Sequence, residues 1–297
     1  MILSGRGVAL SLLASALFAL IPGYVQQLQP LDGIQVFAQR VLWSIPVILL
    51  LVALSRQWTV LFAVFGRLRQ EPLLLAALPL SALLIGVQWG LFVWAPLAGR
   101  MLDVSLGYFL LPLAMVLAGR VFYGERLRPL VKVAVACAVV GVLHELWLTR
   151  AFSWVTLVTA LGYPPYFMLR RWMRLDALSG FILEMLMLAP LALWLIVAWG
   201  TPGVFDQAPQ LWWLLPGLGL LGTLAFAAMM ASSRLLPMGL FGILSYVEPV
   251  LLFAVSLVFL GEQFNPAQWM TYLPIWLAVI LVGWDSARLL HKQARRI

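Results

Sequence analysis

Pro112-Leu113-Ala114-Met115-Val116-Leu117-Ala118-Gly119-Arg120-Val121-Phe122-Tyr123-Gly124-Glu125-Arg126-Leu127-Arg128-Pro129 is the stretch on which the fold turns. It is an apolar run carrying one proline, then a Gly-Glu exit, then a second proline that opens the next apolar run. Displaced by 137 residues the order returns: Pro249, Phe259, Gly261-Glu262 and Pro266 fall on Pro112, Phe122, Gly124-Glu125 and Pro129. An excess of Leu and Val does not by itself produce a shared Gly-Glu and proline spacing. The glycine suits a helix exit, and the later proline suits the first position of a helix, where a missing N–H costs least.

The surrounding sequence sets the solvent. Hydrophobic residues make up 64% of the 297 residues and charged residues 10%, with a mean hydropathy of +1.01, against about one quarter charged in a soluble domain. Roughly 20 apolar residues cross a hydrocarbon core of about 30 Å, so this length accommodates about ten crossings with short connections. Backbone amides in lipid must be satisfied within a helix or a closed barrel, and the long runs without period-two alternation select helices. Spans are predicted at 7–26, 33–54, 72–96, 101–121, 129–148, 152–169, 179–199, 210–231, 237–260 and 267–287. The first has no A-x-A cleavage signature followed by a soluble domain and is expected to be retained. Cys137 is the only cysteine, which excludes an intramolecular disulfide and a cysteine metal site.

Charge supplies the orientation. With the N-terminus in the cytoplasm, sixteen of the nineteen basic residues fall on that side, including Arg56, Arg67 and Arg69, then Arg120, Arg126, Arg128 and Lys132, then Arg170, Arg171 and Arg174. The other side holds Arg100 and Arg150, and Arg40 lies within a span. The positive-inside rule then puts both termini in the cytoplasm of a bacterial-type inner membrane and requires an even number of crossings. The net charge of +8 reports this asymmetry, so the expected partners are the lipid bilayer and a small-molecule substrate, with no nucleic acid.

The repeated stretches belong to the fourth and ninth spans, five crossings apart, so the two units have opposite orientation. The expected fold is all-α and integral to the membrane: ten transmembrane helices in two inverted five-helix repeats, residues 1–150 and 151–297. Inverted repeats let one half rock against the other around a midplane site, the usual geometry of alternating access. Pro112, Glu125, Pro249 and Glu262 mark the repeat, and the two glutamates read as structural acceptors for loop or neighbouring-helix donors. Prolines at 22, 46, 79, 96, 112, 190, 216, 249 and 274 lie within or near spans and are candidate kinks. Gly217, Gly219 and Gly222, and Gly239 with Gly242, permit close helix contact.

Ionisable groups inside a span cost about 2.5 to 3.5 kcal/mol on insertion scales and so face a cavity or a partner. Arg40, in Gln39-Arg40-Val41-Leu42-Trp43-Ser44, reads as a gate or substrate-anion contact, or else as half of a buried ion pair. Burial favours the neutral form of a carboxyl group, a condition for proton exchange in lipid, which makes Glu184 and Glu248 the candidate proton carriers; the alternative is a hydrogen bond to kinked backbone or to Arg40. Asp103, Glu145 and Asp285 lie near span ends and read as topology and surface. His144 beside Glu145 suggests a relay or a metal ligand, yet no third ligand is evident, so no metal and no cofactor is expected.

Trp43, Trp89, Trp94, Tyr108, Phe109, Tyr163, Tyr166 and Tyr246, with Tyr24, are the aromatics placed to line an apolar cavity. Ring faces with a few polar handles suit amphipathic, aromatic or cationic solutes; other tryptophans, such as Trp58, Trp147, Trp212 and Trp213, suit the interfacial belt. No G-x-x-x-x-G-K-[ST], no H-E-x-x-H and no aspartate-rich metal-diphosphate motif occurs, so ATP-driven pumping and common membrane enzyme chemistry lack their parts.

The stretches Gln39-Arg40-Val41-Leu42-Trp43-Ser44, Trp89-Gly90-Leu91-Phe92-Val93-Trp94, Ser105-Leu106-Gly107-Tyr108-Phe109-Leu110-Leu111-Pro112-Leu113 and Gly124-Glu125-Arg126 resemble the RarD-type permeases of the EamA group, within the drug/metabolite transporter superfamily. The resemblance covers nearly the whole chain. It implies ten helices in two inverted repeats, a central cavity, and export or facilitated exchange of metabolites or drugs. Gln39 departs from the family, which commonly has histidine before the arginine; a proton carried there in relatives would need another group in this chain. Glu248 before Pro249 is closer to the broader superfamily. The expectation is a secondary transporter, an exporter of small amphipathic metabolites or drugs, not an enzyme. One rival is an uncoupled facilitator of small metabolites such as amino acids. Another is a membrane enzyme or scaffold, which requires a large polar loop or a clustered catalytic set, and neither is seen.

Overall fold

Two aspartates start two of the long helices in the same way. Asp32 accepts from the Gln35 amide at 2.8 Å and opens α2, Gly33–Leu54; Asp176 accepts from the Leu178 and Ser179 amides and opens α8, Ala177–Trp199. Each satisfies N–H groups that the first turn leaves without partners. Each helix then carries a proline fourteen residues after its cap, Pro46 and Pro190.

The computed structural model describes residues 3–150, 152–251, 254, 267 and 269–294. The remaining elements are α1 Gly5–Gln26, α3 Trp58–Gln70, α4 Pro72–Leu97, α5 Met101–Tyr123, α6 Pro129–Thr149, α7 Trp154–Met173, α9 Val204–Gln207, α10 Leu211–Leu235, α11 Met238–Leu244 and α12 Trp269–Ala294. Among the described residues every regular element is a helix. Gly124, at φ 61°, ends α5 in the left-handed conformation, and the Glu125 amide returns to the Gly119 carbonyl at 3.1 Å. Pro129 takes the first turn of α6.

Eight of these helices are long and apolar enough to cross a membrane, and each coincides with a predicted span. Only 28–50% of each apolar window is buried inside the protein, and side chains such as Leu54, Leu83, Leu193 and Val197 face outward. An apolar exterior on this scale is what lipid requires, and the protein is a multi-pass membrane protein. The predicted sixth span corresponds to α7, twenty residues whose Tyr-Pro-Pro-Tyr centre and Arg170-Arg171 end make it less apolar. The predicted ninth span begins in the apolar stretch Met238–Leu251, and most of its remainder, with Glu262, lies outside the described residues. The helix α3 falls in a segment read from sequence only as a basic connection; it buries Leu61 and Val64 and leaves Phe62 and Phe65 exposed.

The chain divides into two compact units. The first comprises Met1–Leu20, Arg100–Pro164 and Ala228–Ile297; in it α6 packs on α12, α5 on α11 and on α6, and α11 on α12. The second comprises Ile21–Gly99 and Pro165–Ala227; in it α2 packs on α8 and α4, α4 on α8, and α3 on α2, α4 and α8. Each unit draws helices from both halves of the sequence.

Candidate functional site

In the second unit a buried carboxylate organises its surroundings. Glu184, on α8, is fully buried. One oxygen accepts from the Ser81 hydroxyl of α4 and lies 3.6 Å from Nε of Arg170 on α7; the other accepts from the Tyr166 hydroxyl at 3.0 Å. Arg170 is itself 5% exposed and donates to the Ala177 carbonyl at 3.2 Å. Gly180 makes room for it, since a Cβ there would occupy the position of the guanidinium. Removing two charges from water is costly, and the extra hydrogen bonds are what allow such a pair to persist.

An aromatic path leads away from this cluster. The Tyr166 ring meets Phe226 of α10 with centroids 6.3 Å apart, Phe226 meets Trp89 edge-on at 5.5 Å, and the Arg40 guanidinium lies 4.1 Å from the Trp89 ring centroid. Arg40 is half-buried on α2, and a Cβ added at Gly222 of α10 would stand 3.0 Å from its Nε. A guanidinium held on an indole face in this way is the cation–π geometry. The same helix α10 uses Gly219 to admit the Trp43 backbone and Gly217 to admit the Tyr24 hydroxyl, which donates to the Leu214 carbonyl at 2.7 Å. Arg40, Trp89, Tyr166 and Glu184 therefore fall on one continuous array, with Trp43 on the same helix as Arg40. Trp94 is exposed on α4.

The other candidates lie in the first unit. The hydroxyls of Tyr108 on α5 and Tyr163 on α7 are 3.5 Å apart. Tyr246, fully buried just after α11, donates to the Phe109 carbonyl at 2.8 Å, and the Phe109 ring meets Tyr272. The Glu125 carboxylate accepts from the Met238 and Gly239 amides at 2.6 and 2.8 Å, so it closes the start of α11. Pro112 offers its carbonyl to the close approach of Gly242. Glu248 is half-buried in the helical residues 247–251, next to Pro249.

Several members were not singled out from sequence. Sequence places Arg170 among the basic residues that set orientation, yet it is buried against Glu184; the signal is an acidic residue inside a span, which requires a partner. Ser81 and Phe226 carry no distinguishing pattern. Glu145, read as a surface residue near a span end, is 8% exposed and accepts from Thr271 at 2.8 Å, and Asp285 pairs with Arg128 at 2.9 Å. Both are corrections: helix packing, not distance from the span end, decides their burial.

Polar side chains held among long apolar helices define a multi-pass membrane protein as a class. The chain is 68% identical to the chloramphenicol-sensitive protein RarD of Pseudomonas aeruginosa over 295 residues, 99% of both chains. It is 37% identical to an uncharacterized transporter of Haemophilus influenzae, covering 95% of this chain and 94% of that one, and 30% identical to protein RarD of Escherichia coli, covering 95% of each. No family model matches. A solved structure described only as the crystal structure of a protein superposes with a TM-score of 0.71 at 20% identity, over 95% of this chain and 98% of that one, which shows the shared fold. The chain belongs to the RarD-type permeases of the EamA group, in the drug/metabolite transporter superfamily.

Proposed function

We propose that this membrane transporter is a secondary exporter of small amphipathic metabolites or drugs, built as ten transmembrane helices in two inverted repeats, 1–150 and 151–297, and working by alternating access. It resides in a bacterial inner membrane with both termini cytoplasmic, and it is not an enzyme. The observation that carries the reading is the array from Arg40 through Trp89, Phe226 and Tyr166 to Glu184, which offers a cation, ring faces and a carboxylate within membrane-embedded helices. Such groups in lipid mark substrate or ion pathways.

Internal symmetry supports the repeat. Tyr246 and Phe109, joined by a hydrogen bond, are separated by the same 137 residues that relate the Gly-Glu exits. A contact between equivalent positions is what a pseudo-two-fold relation produces on its axis. Arg40 and Glu184 each stand eight residues after the capping aspartate of α2 and α8, so opposite charges occupy matching places.

Purified protein in liposomes should move chloramphenicol or neutral and aromatic amino acids faster than empty vesicles, and an imposed pH gradient should alter accumulation if Glu184 or Glu248 carries protons. Absence of flux for every solute of that panel contradicts the transport role of the array. A second reading, uncoupled facilitation, has its own observation: Glu184 is already neutralised by Arg170. It predicts that downhill flux survives Glu184→Gln and that no pH gradient drives accumulation.

A further inference from the structure

Gly141, His144 and Glu145 lie three and four residues apart on α6, hence on one face. Gly141 lets α12 approach so closely that a Cβ there would press on the Thr271 carbonyl. The approach sets the Thr271 hydroxyl between the two titratable side chains: 2.9 Å from Nδ1 of His144 and 2.8 Å from Oε2 of Glu145. Thr271 is fully buried and Glu145 nearly so. A hydroxyl has one proton to give. When Glu145 is a carboxylate it takes that proton, so Nδ1 of His144 must carry the hydrogen that Thr271 accepts, and Nε2 is left as the basic nitrogen.

We propose that His144, Thr271 and Glu145 form a proton relay bridging α6 and α12, a proton-binding site separate from Glu184. A proton enters at Nε2 of His144 and gives an imidazolium. The Nδ1–H bond then breaks as the Thr271 Oγ1 takes its proton, and the former Thr271 O–H bond breaks as Glu145 Oε2 takes that one. The products are a neutral imidazole with its hydrogen on Nε2 and a neutral carboxylic acid; one proton has been bound and both hydrogen bonds remain in place with their direction reversed, Glu145 now donating to Thr271 and Thr271 to Nδ1. The step needs no atom to move beyond the hydrogens.

The ionisable groups on the elements packed against α6 either make other contacts or, as Tyr123 on α5 and His291 and Lys292 on α12, lie in the last turn of their helices. On α12, Tyr272 packs its ring on Phe109, Arg288 lies over Trp284, and Asp285 pairs with Arg128, about 21 Å along the helix from Thr271 at 1.5 Å per residue; His291 and Lys292 lie in its last turn. On α5, Arg100 pairs with Asp103, Tyr108 meets Tyr163, and Arg120 donates to the Glu125 carbonyl. Tyr246, beyond α11, is bonded to Phe109, and Arg150 caps the end of α6.

The test does not depend on flux. With only two histidines in the chain, nitrogen-15 NMR of histidine-labelled full-length protein in nanodiscs, with His291→Gln for assignment, reads the tautomer of His144 directly. The relay predicts the Nδ1–H form before the site binds its proton and the Nε2–H form after it, the latter together with a protonated-carboxyl infrared band that Glu145→Gln removes. Thr271→Val should abolish the switch and Thr271→Ser should retain it. A His144 that keeps one tautomer throughout, or a switch that persists unchanged in Thr271→Val, overturns the relay. Native-like unfolding of Thr271→Val in the same nanodiscs guards against reading a misfolded variant as a broken relay.

Discussion

Gly180 has no room for a side chain, because the Arg170 guanidinium fills the place of its missing Cβ. Gly180→Ala should therefore displace Arg170 and strand Glu184, and breaking a buried pair costs about 3–5 kcal/mol. The unfolding midpoint of the purified protein in detergent should fall clearly below wild type; an unchanged midpoint contradicts the seat. Glu184→Ala should fall comparably, whereas Glu184→Gln should lose less, since an amide retains hydrogen bonding to Ser81 and Tyr166. Sequence made Glu184 and Arg40 legible because a charge inside an apolar span has no bland explanation. It hid Arg170 and Glu145 because both sit near predicted span ends, where water is an equally good partner until packing is known. Aromatic residues were the least legible of all: Trp89 and Trp94 stand five residues apart on one helix, and the first is buried under Arg40 while the second faces outward.

At the scale of elements, capped starts and glycine seams explain why these helices lie where they do. Glu125 closes α11 by accepting two backbone amides, and loss of a helix cap typically costs about 0.5–2 kcal/mol. Glu125→Ala should speed amide hydrogen exchange over Met238–Leu244, with Glu125→Gln intermediate; equal exchange in all three proteins contradicts the cap. The end of α3 is tied down by Arg67, which bonds Glu71 and the Met173 and Arg174 carbonyls. Its hydrogen bond holds the Glu71 carboxyl below the ordinary value. A carboxyl whose folded value is depressed stabilises the fold above its unfolded value and stops doing so as pH falls through the folded one. Acidification into that range should loosen the end of α3 in wild type and not in Glu71→Gln, as read by exchange at Arg67–Glu71; identical acid responses contradict the tie, whose exposure keeps the effect small. Eight spans were legible because length and apolarity alone specify a crossing. The short α3 and α9 were not, since each buries only one or two side chains.

Across the whole molecule, charge and repetition carry what helix length leaves open. The proposed cytoplasmic placement of both termini rests on the sixteen basic residues assigned to one side, and the proposed inversion of the halves on the 137-residue offset. In a Cys137→Ala background, a membrane-impermeant thiol reagent should reach Asp206→Cys from outside intact cells and Gln57→Cys only in inverted vesicles; the reverse pattern contradicts the orientation. Arg40 on Trp89 is proposed as part of the path taken by solute. The most direct measurement is the initial flux of whichever panel solute the wild-type protein moves, in liposomes containing wild type, Arg40→Gln or Trp89→Ala at equal amounts of folded protein. Flux should fall at least tenfold in both variants. Flux equal to wild type in both, with folded protein confirmed, would contradict it.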